Sequence, residues 1–168
     1  MKKIYFIQAS LLLMSFIMSW LSSGKISSSD LTSLLSTLQN ISAAVFTTAG
    51  IWIAYIYPEA ISSFTNPDKI ALIKGTESTE QVKSLVFTVI TSASVLTCTL
   101  LFGVLSLLYK NSDLVIENKG GVVLISTTFV VYLSLNQTKA ILGVIINTLR
   151  FVSKLFYLKT EREVNDDL

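Results

Sequence analysis

Residues Leu85–Tyr109 read LVFTVITSASVLTCTLLFGVLSLLY, twenty-five positions without a charge or a proline. A helix rises about 1.5 Å per residue, so about 20 residues cross a hydrocarbon core about 30 Å thick, with about 17 as the lower limit. This stretch is long enough to cross with residues to spare. Three further apolar segments, Ile4–Leu21, Ile41–Tyr57 and Val122–Leu149, lie near or above the same limit. All eleven carboxylates fall outside the four segments, and the one full charge within them is Lys139. The pattern predicts an all-α integral membrane protein: a four-helix bundle in one multi-pass domain over residues 1–168, with an amphipathic cytoplasmic extension of the last helix.

Composition agrees. Hydrophobic residues make up 51% of the chain, charged residues 14%, and mean hydropathy is +0.63. Soluble domains carry about 25% charged residues. The longest polar stretch, Ser62–Ser84, is too short to build a second core. A net charge of +2 is too small to suggest direct nucleic-acid binding. Histidine is absent, which removes the commonest general base and a major metal ligand. The single cysteine, Cys98, forms no internal disulfide and reads as a small apolar filler.

Met1-Lys2-Lys3 followed by an apolar run resembles a secretory signal, and Ser22-Ser23-Gly24 offers small residues for cleavage. Signal h-regions run about 7–15 residues, whereas Ile4–Leu21 is 18 long and ends near Trp20, a residue suited to the headgroup level. An uncleaved signal anchor is expected. Lys25–Gln39 is Ser-rich, with Leu31, Leu34, Leu35 and Leu38 at helical spacing; Ser29 or Asp30 caps a helix entering the second span. Tyr55, Tyr57 and Pro58 end that span. Asn66-Pro67-Asp68 predicts a short helix ended by Gly75, and Ser78-Thr79-Glu80-Gln81 a capping box opening the third span.

Lysine and arginine in short loops mark the cytoplasmic side. Lys2, Lys3, Lys69, Lys74, Lys83, Arg150, Lys154, Lys159 and Arg162 fall on one side, and Lys25, Lys110 and Lys119 on the other. The asymmetry predicts both termini in the cytoplasm, with the bilayer as the first partner.

Membrane helices associate where small residues let backbones approach. Ala43, Thr47, Gly50 and Ala54 provide a four-three-four stripe for packing within the chain or for a homo-oligomer. The third span offers Ser92, Thr99, Gly103 and Ser106 on one face, with Thr88, Thr91 and Ser94 beside it.

The fourth segment is less settled. Val122–Leu135 is 14 residues, too short to cross alone, so the helix continues through Asn136-Gln137-Thr138-Lys139 or turns there along the surface. Asn136, Ala140, Gly143, Asn147, Arg150 and Lys154 form a small and polar face with Lys139 at its edge. That face suits either a polar path inside a bundle or a basic helix at the interface. Lys139 snorkels, lines the path, or lies on the surface helix. After Arg150 a mixed-charge, frayed tail is expected.

No H-E-x-x-H, CxxC, P-loop or G-x-S-x-G motif occurs. Ser134 and Lys139, five residues apart, share a face poorly for Ser-Lys catalysis. No repeat or broken-helix pair suggests a secondary transporter. The chain is therefore expected to be no enzyme, with no catalytic residues, cofactor or metal.

Asn40-Ile41-Ser42-Ala43-Ala44, leading into Gly50-Ile51-Trp52-Ile53-Ala54-Tyr55-Ile56-Tyr57-Pro58-Glu59-Ala60, resembles the second-span region of small membrane proteins encoded with bacterial retrons. The resemblance covers about 20 residues and implies an inner-membrane effector of anti-phage abortive infection, restrained by a defence-system partner until attack. Some such effectors have two spans rather than four. The expected function is a non-enzymatic protein that oligomerises and depolarises the bacterial inner membrane. The alternatives are an accessory subunit or immunity protein that binds a larger partner through Pro58–Lys83, and a holin.

Overall fold

The computed structural model describes residues 2–22, 25–56, 77–109 and 112–166. Every element among them is a helix: α1 (Lys2–Leu21), α2 (Ser28–Ile56), α3 (Glu77–Tyr109), the short α4 (Asp113–Glu117) and α5 (Lys119–Asp166). Three helices contain stretches long and apolar enough to cross a membrane: Ser28–Ala54, Lys83–Tyr109 and Lys119–Ser153. The first is shorter, with Tyr5–Leu21 as its apolar part. Pro58, the Asn66-Pro67-Asp68 helix and Gly75 lie outside the described residues.

The cap of α2 is Ser27. Its carbonyl accepts from Leu31 N–H at 3.3 Å, and its hydroxyl accepts from Asp30 N–H at 3.4 Å. Its own N–H donates to the Asp30 carboxylate at 2.9 Å. This reciprocal pair is a capping box with Asp at the third helical position. It moves the helix start ahead of the expected Ser29 or Asp30, because Asp30 caps from inside the first turn. In α3 the helix already includes Glu77, so Ser78 sits in its first turn rather than at its cap.

α5 is one continuous helix of 48 residues, about 72 Å long at about 1.5 Å per residue. It neither stops at Asn136 nor frays after Arg150. Beyond Gly143 it has no glycine or proline, and it is rich in Leu, Lys, Arg and Glu, which hold a helix well.

The chain divides into two compact units. The first comprises Met1–Ala44 and Thr91–Lys139, and so takes in α1, the first part of α2, the second part of α3, α4 and the first part of α5. Its apolar core is Leu38, Val95 and Leu133, with Cys98, Phe129 and Tyr132 packed against it. Phe102 stacks on Phe129 with ring centroids 5.3 Å apart. The second unit comprises Val45–Ile90 and Ala140–Leu168. Trp52 and Phe151 meet there edge to face at 5.3 Å.

Each long helix turns a seam inward at alternating three- and four-residue steps. In α2 it is Leu31, Leu35, Leu38, Ser42, Val45, Ala49 and Trp52, each buried or half-buried. In α3 it is Leu85, Thr88, Ser92, Val95, Thr99 and Phe102. In α5 it is Val130, Leu133, Gln137, Ala140, Val144, Asn147 and Phe151. Steps of three and four residues keep the members of a seam on one face of their helix.

The stripe Ala43, Thr47, Gly50 and Ala54 is not that seam. Ala43, Thr47 and Ala54 are exposed, and a Cβ on Gly50 would meet nothing within 4 Å. Packing within the chain falls instead to the face beginning with Leu31, because the leucines upstream share its period. Among the described glycines the crowded one is Gly143, where a Cβ would lie 3.0 Å from the side-chain Oγ1 of Thr88. Gly143→Leu is therefore expected to destabilise the fold by about 1–3 kcal/mol, the usual cost of overpacking. It should lower the melting temperature in detergent micelles. Gly103→Leu, at a site with open space around it, should leave that temperature unchanged.

Candidate functional site

Among the described residues, ten polar side chains are buried against eight hydrophobic ones. The polar set is Ser15, Ser19, Ser42, Thr88, Ser92, Thr99, Thr127, Asn136, Gln137 and Asn147. Outside, α1 exposes Phe6, Leu13 and Trp20, and α3 exposes Leu101, Leu107 and Leu108. A water-soluble domain has the opposite arrangement.

Some of the buried hydroxyls bond within their own helix. Ser15 Oγ donates to Leu12 O at 2.8 Å, Thr99 Oγ1 to Leu96 O at 2.9 Å, and Thr88 Oγ1 to Ser84 O at 3.0 Å. Such bonds let a hydroxyl sit in apolar surroundings without a partner on another helix. Others join helices. In the first unit, Tyr132 Oη donates to Gln8 Oε1 at 2.8 Å, and Gln137 Nε2 donates to Ser92 Oγ at 3.3 Å. In the second unit, Asn147 Nδ2 donates to Ser84 Oγ at 3.1 Å.

Other buried atoms have no partner: Ser19 Oγ, Ser42 Oγ, Ser112 Oγ, Thr127 Oγ1, Gln137 Oε1 and Asn147 Oδ1. An unpaired polar atom in the interior costs about 1–3 kcal/mol. The cost is concentrated in the first unit, which holds all of these except Asn147 Oδ1.

The polar face expected on the fourth segment does not form one surface. Asn136 is buried and donates to Tyr132 O at 3.0 Å. Gly143 is half-buried beside Thr88, and Asn147 is buried against Ser84. Lys139 and Arg150 are exposed, and the side chain of Lys154 lies outside the described residues. Asn136 and Lys139 belong to the first unit, the others to the second. Sequence spacing missed Gln137, which is only 1% exposed. The available signal was its step of four from Leu133 and of three to Ala140.

Among the described residues no group of three His, Cys, Asp or Glu side chains converges on a common point that could hold a metal ion. Compared with protein-family models, curated proteins and solved structures, the chain matches none of them.

The Tyr132–Gln8 bond ties α1 to α5 and can be measured. A double-mutant cycle of Tyr132→Phe and Gln8→Leu is expected to give a coupling of about 0.6 kcal/mol, the average between membrane helices. The readout is unfolding in mixed micelles. Strict additivity would mean that the two side chains do not meet.

Proposed function

We propose that this chain is a multi-pass protein of the bacterial inner membrane, folded as a four-helix membrane bundle, that self-associates and depolarises that membrane without enzymatic chemistry. The observation that carries this reading is the inverted distribution of side chains, with polar groups inside and large apolar groups outside. Lipid accommodates such an exterior, whereas water does not. Trp20 and Tyr109, both exposed, close α1 and α3, as aromatic residues do at a headgroup boundary.

In this reading α1, with a 17-residue apolar part, crosses at the lower limit of length. The 35-residue apolar stretch of α5, about 52 Å long, exceeds a hydrocarbon core of about 30 Å and so tilts or emerges from it. Exposed Lys139 then extends its stem to carry its ammonium to the headgroups, which removes it from any interior path. The lysine and arginine asymmetry puts both termini in the cytoplasm.

Self-association draws on the face that α2 leaves uncovered. Ala43, Thr47, Gly50 and Ala54 continue upstream, at the same alternating steps, through Asn40, Ser36 and Ser33, all exposed except half-buried Gly50. A seam with no large side chain permits close helix approach. The setting, an effector in retron-type anti-phage defence with a restraining partner, rests on the resemblance of Asn40–Ala44 and Gly50–Ala60.

Induced expression is expected to slow growth and collapse membrane potential, followed with a potential-sensitive dye. Gly50→Leu should cut the yield of cross-linked oligomer and the depolarisation together, while membrane levels and monomer folding hold, since an added Cβ meets nothing within 4 Å beyond its own stretch of helix. Reporter fusions after Lys25, Glu77, Lys119 and Leu168 should read out, in, out and in. Verified membrane insertion with potential intact, trigger present or absent, would instead indicate an accessory or immunity subunit. A periplasmic Leu168 fusion would contradict the four-span topology.

A further inference from the structure

Leu38, Val95 and Leu133 touch one another in the first unit, one from each of α2, α3 and α5. One step along each seam, forward in α2 and α5 and backward in α3, leads to Ser42, Ser92 and Gln137. Those steps are four, three and four residues, the spacing of successive layers between antiparallel helices. The Ser92–Gln137 hydrogen bond ties two members of this second layer together. All three are at most 1% exposed. An apolar layer is thus followed by a wholly polar one.

The polar layer is incomplete in a particular way. Ser42 Oγ and Gln137 Oε1 have no partner. A serine hydroxyl has a proton to give, and an amide oxygen can only accept. One water between them would serve both, accepting from Ser42 Oγ–H and donating to Gln137 Oε1. Buried water typically makes about three such bonds and is retained where polar groups otherwise stand alone.

We propose that the Ser42–Ser92–Gln137 layer is an internal water-binding site and the hydrated constriction of a proton path through the first unit. The neighbouring Leu38–Val95–Leu133 layer holds that path shut. Apolar constrictions gate by excluding water, and a proton crosses only where water is continuous. The permeant species is a proton relayed by water rather than a metal ion, because this layer offers only neutral hydroxyls and one amide, with no charged group to hold a cation. This deepens the depolarising role proposed above and rests on it for its meaning in the cell, but it is tested on purified protein.

The first measurement needs no variant. In lipid bilayers, water-to-protein polarisation transfer by solid-state NMR should reach Ser42 and Gln137 and bypass Leu38 and Leu133. The second uses vesicles loaded with a pH-sensitive dye. Leu133→Ser should wet the apolar layer and raise proton flux about tenfold or more, the scale set by removing one buried desolvation cost. Gln137→Leu added to it should return the flux to the wild-type level, while potassium flux stays low throughout. Absence of water transfer to Ser42 and Gln137 in the folded protein overturns the site. Flux that ignores Gln137→Leu, or that carries potassium equally, overturns the path. Should vesicles behave as expected while cells keep their potential, the cellular role fails and the hydrated layer stands.

Discussion

A leucine gains almost nothing by leaving lipid for a neighbouring helix, so helices in a bilayer do not sort their side chains as helices in water do. What they gain from one another is close packing and a few polar bonds, and both favour small and polar residues at the seams. The seams of α2, α3 and α5 follow that constraint. Serine, threonine, alanine, asparagine and glutamine alternate there with leucine and valine, while leucine, isoleucine and phenylalanine cover the outside. Bonds across helices run from Tyr132 to Gln8, Gln137 to Ser92 and Asn147 to Ser84. At about 0.6 kcal/mol each they orient the helices more than they bind them.

That the apolar segments are helices was legible in the sequence, because it depends on apolar length and on breakers; the full 48-residue run of α5 was not. Segment Leu85–Tyr109 falls within α3, and the Ser-rich stretch before Ile41 joins α2 as expected. Which face turns inward was harder to see. In α2 two stripes of small residues run side by side, Ser42 with Ala49 and Ala43 with Gly50, and size alone does not choose between them. The choice falls to Leu31, Leu35 and Leu38, which share a period with Ser42. In α5 the same difficulty set Asn136 against Gln137. The period running from Val130 through Leu133 selects Gln137 as the most buried of the two, and Asn136 turns back to its own helix at Tyr132 O. α1 is apolar on nearly every side, so Gln8, Ser15 and Ser19 mark its inner face.

The continuity of α5 decides how Lys139 is understood. Had the helix broken at Asn136, the lysine would sit on a surface segment. An unbroken helix places it on the outside of a long apolar stretch, and in the membrane reading proposed above its four-carbon stem carries the charge toward water. The interior is left to neutral groups, and the first unit carries most of the unpaired ones. Ser42 Oγ and Gln137 Oε1 among them are the groups that the proposed hydrated layer would satisfy.

The claim on which all of this depends is that the polar seams face inward and the apolar faces meet lipid. Spin labels placed singly along residues 85–109 in bilayers test it through collision with oxygen, which concentrates in lipid, and with a water-soluble nickel chelate. Oxygen accessibility should oscillate with a period near 3.5 residues. Minima are expected at Leu85, Thr88, Ser92, Val95 and Thr99, and maxima at Phe87, Ile90, Leu101, Leu105 and Leu108, with little nickel accessibility in between. High nickel accessibility at Leu101, Leu105 and Leu108, or a profile without that period, would contradict it.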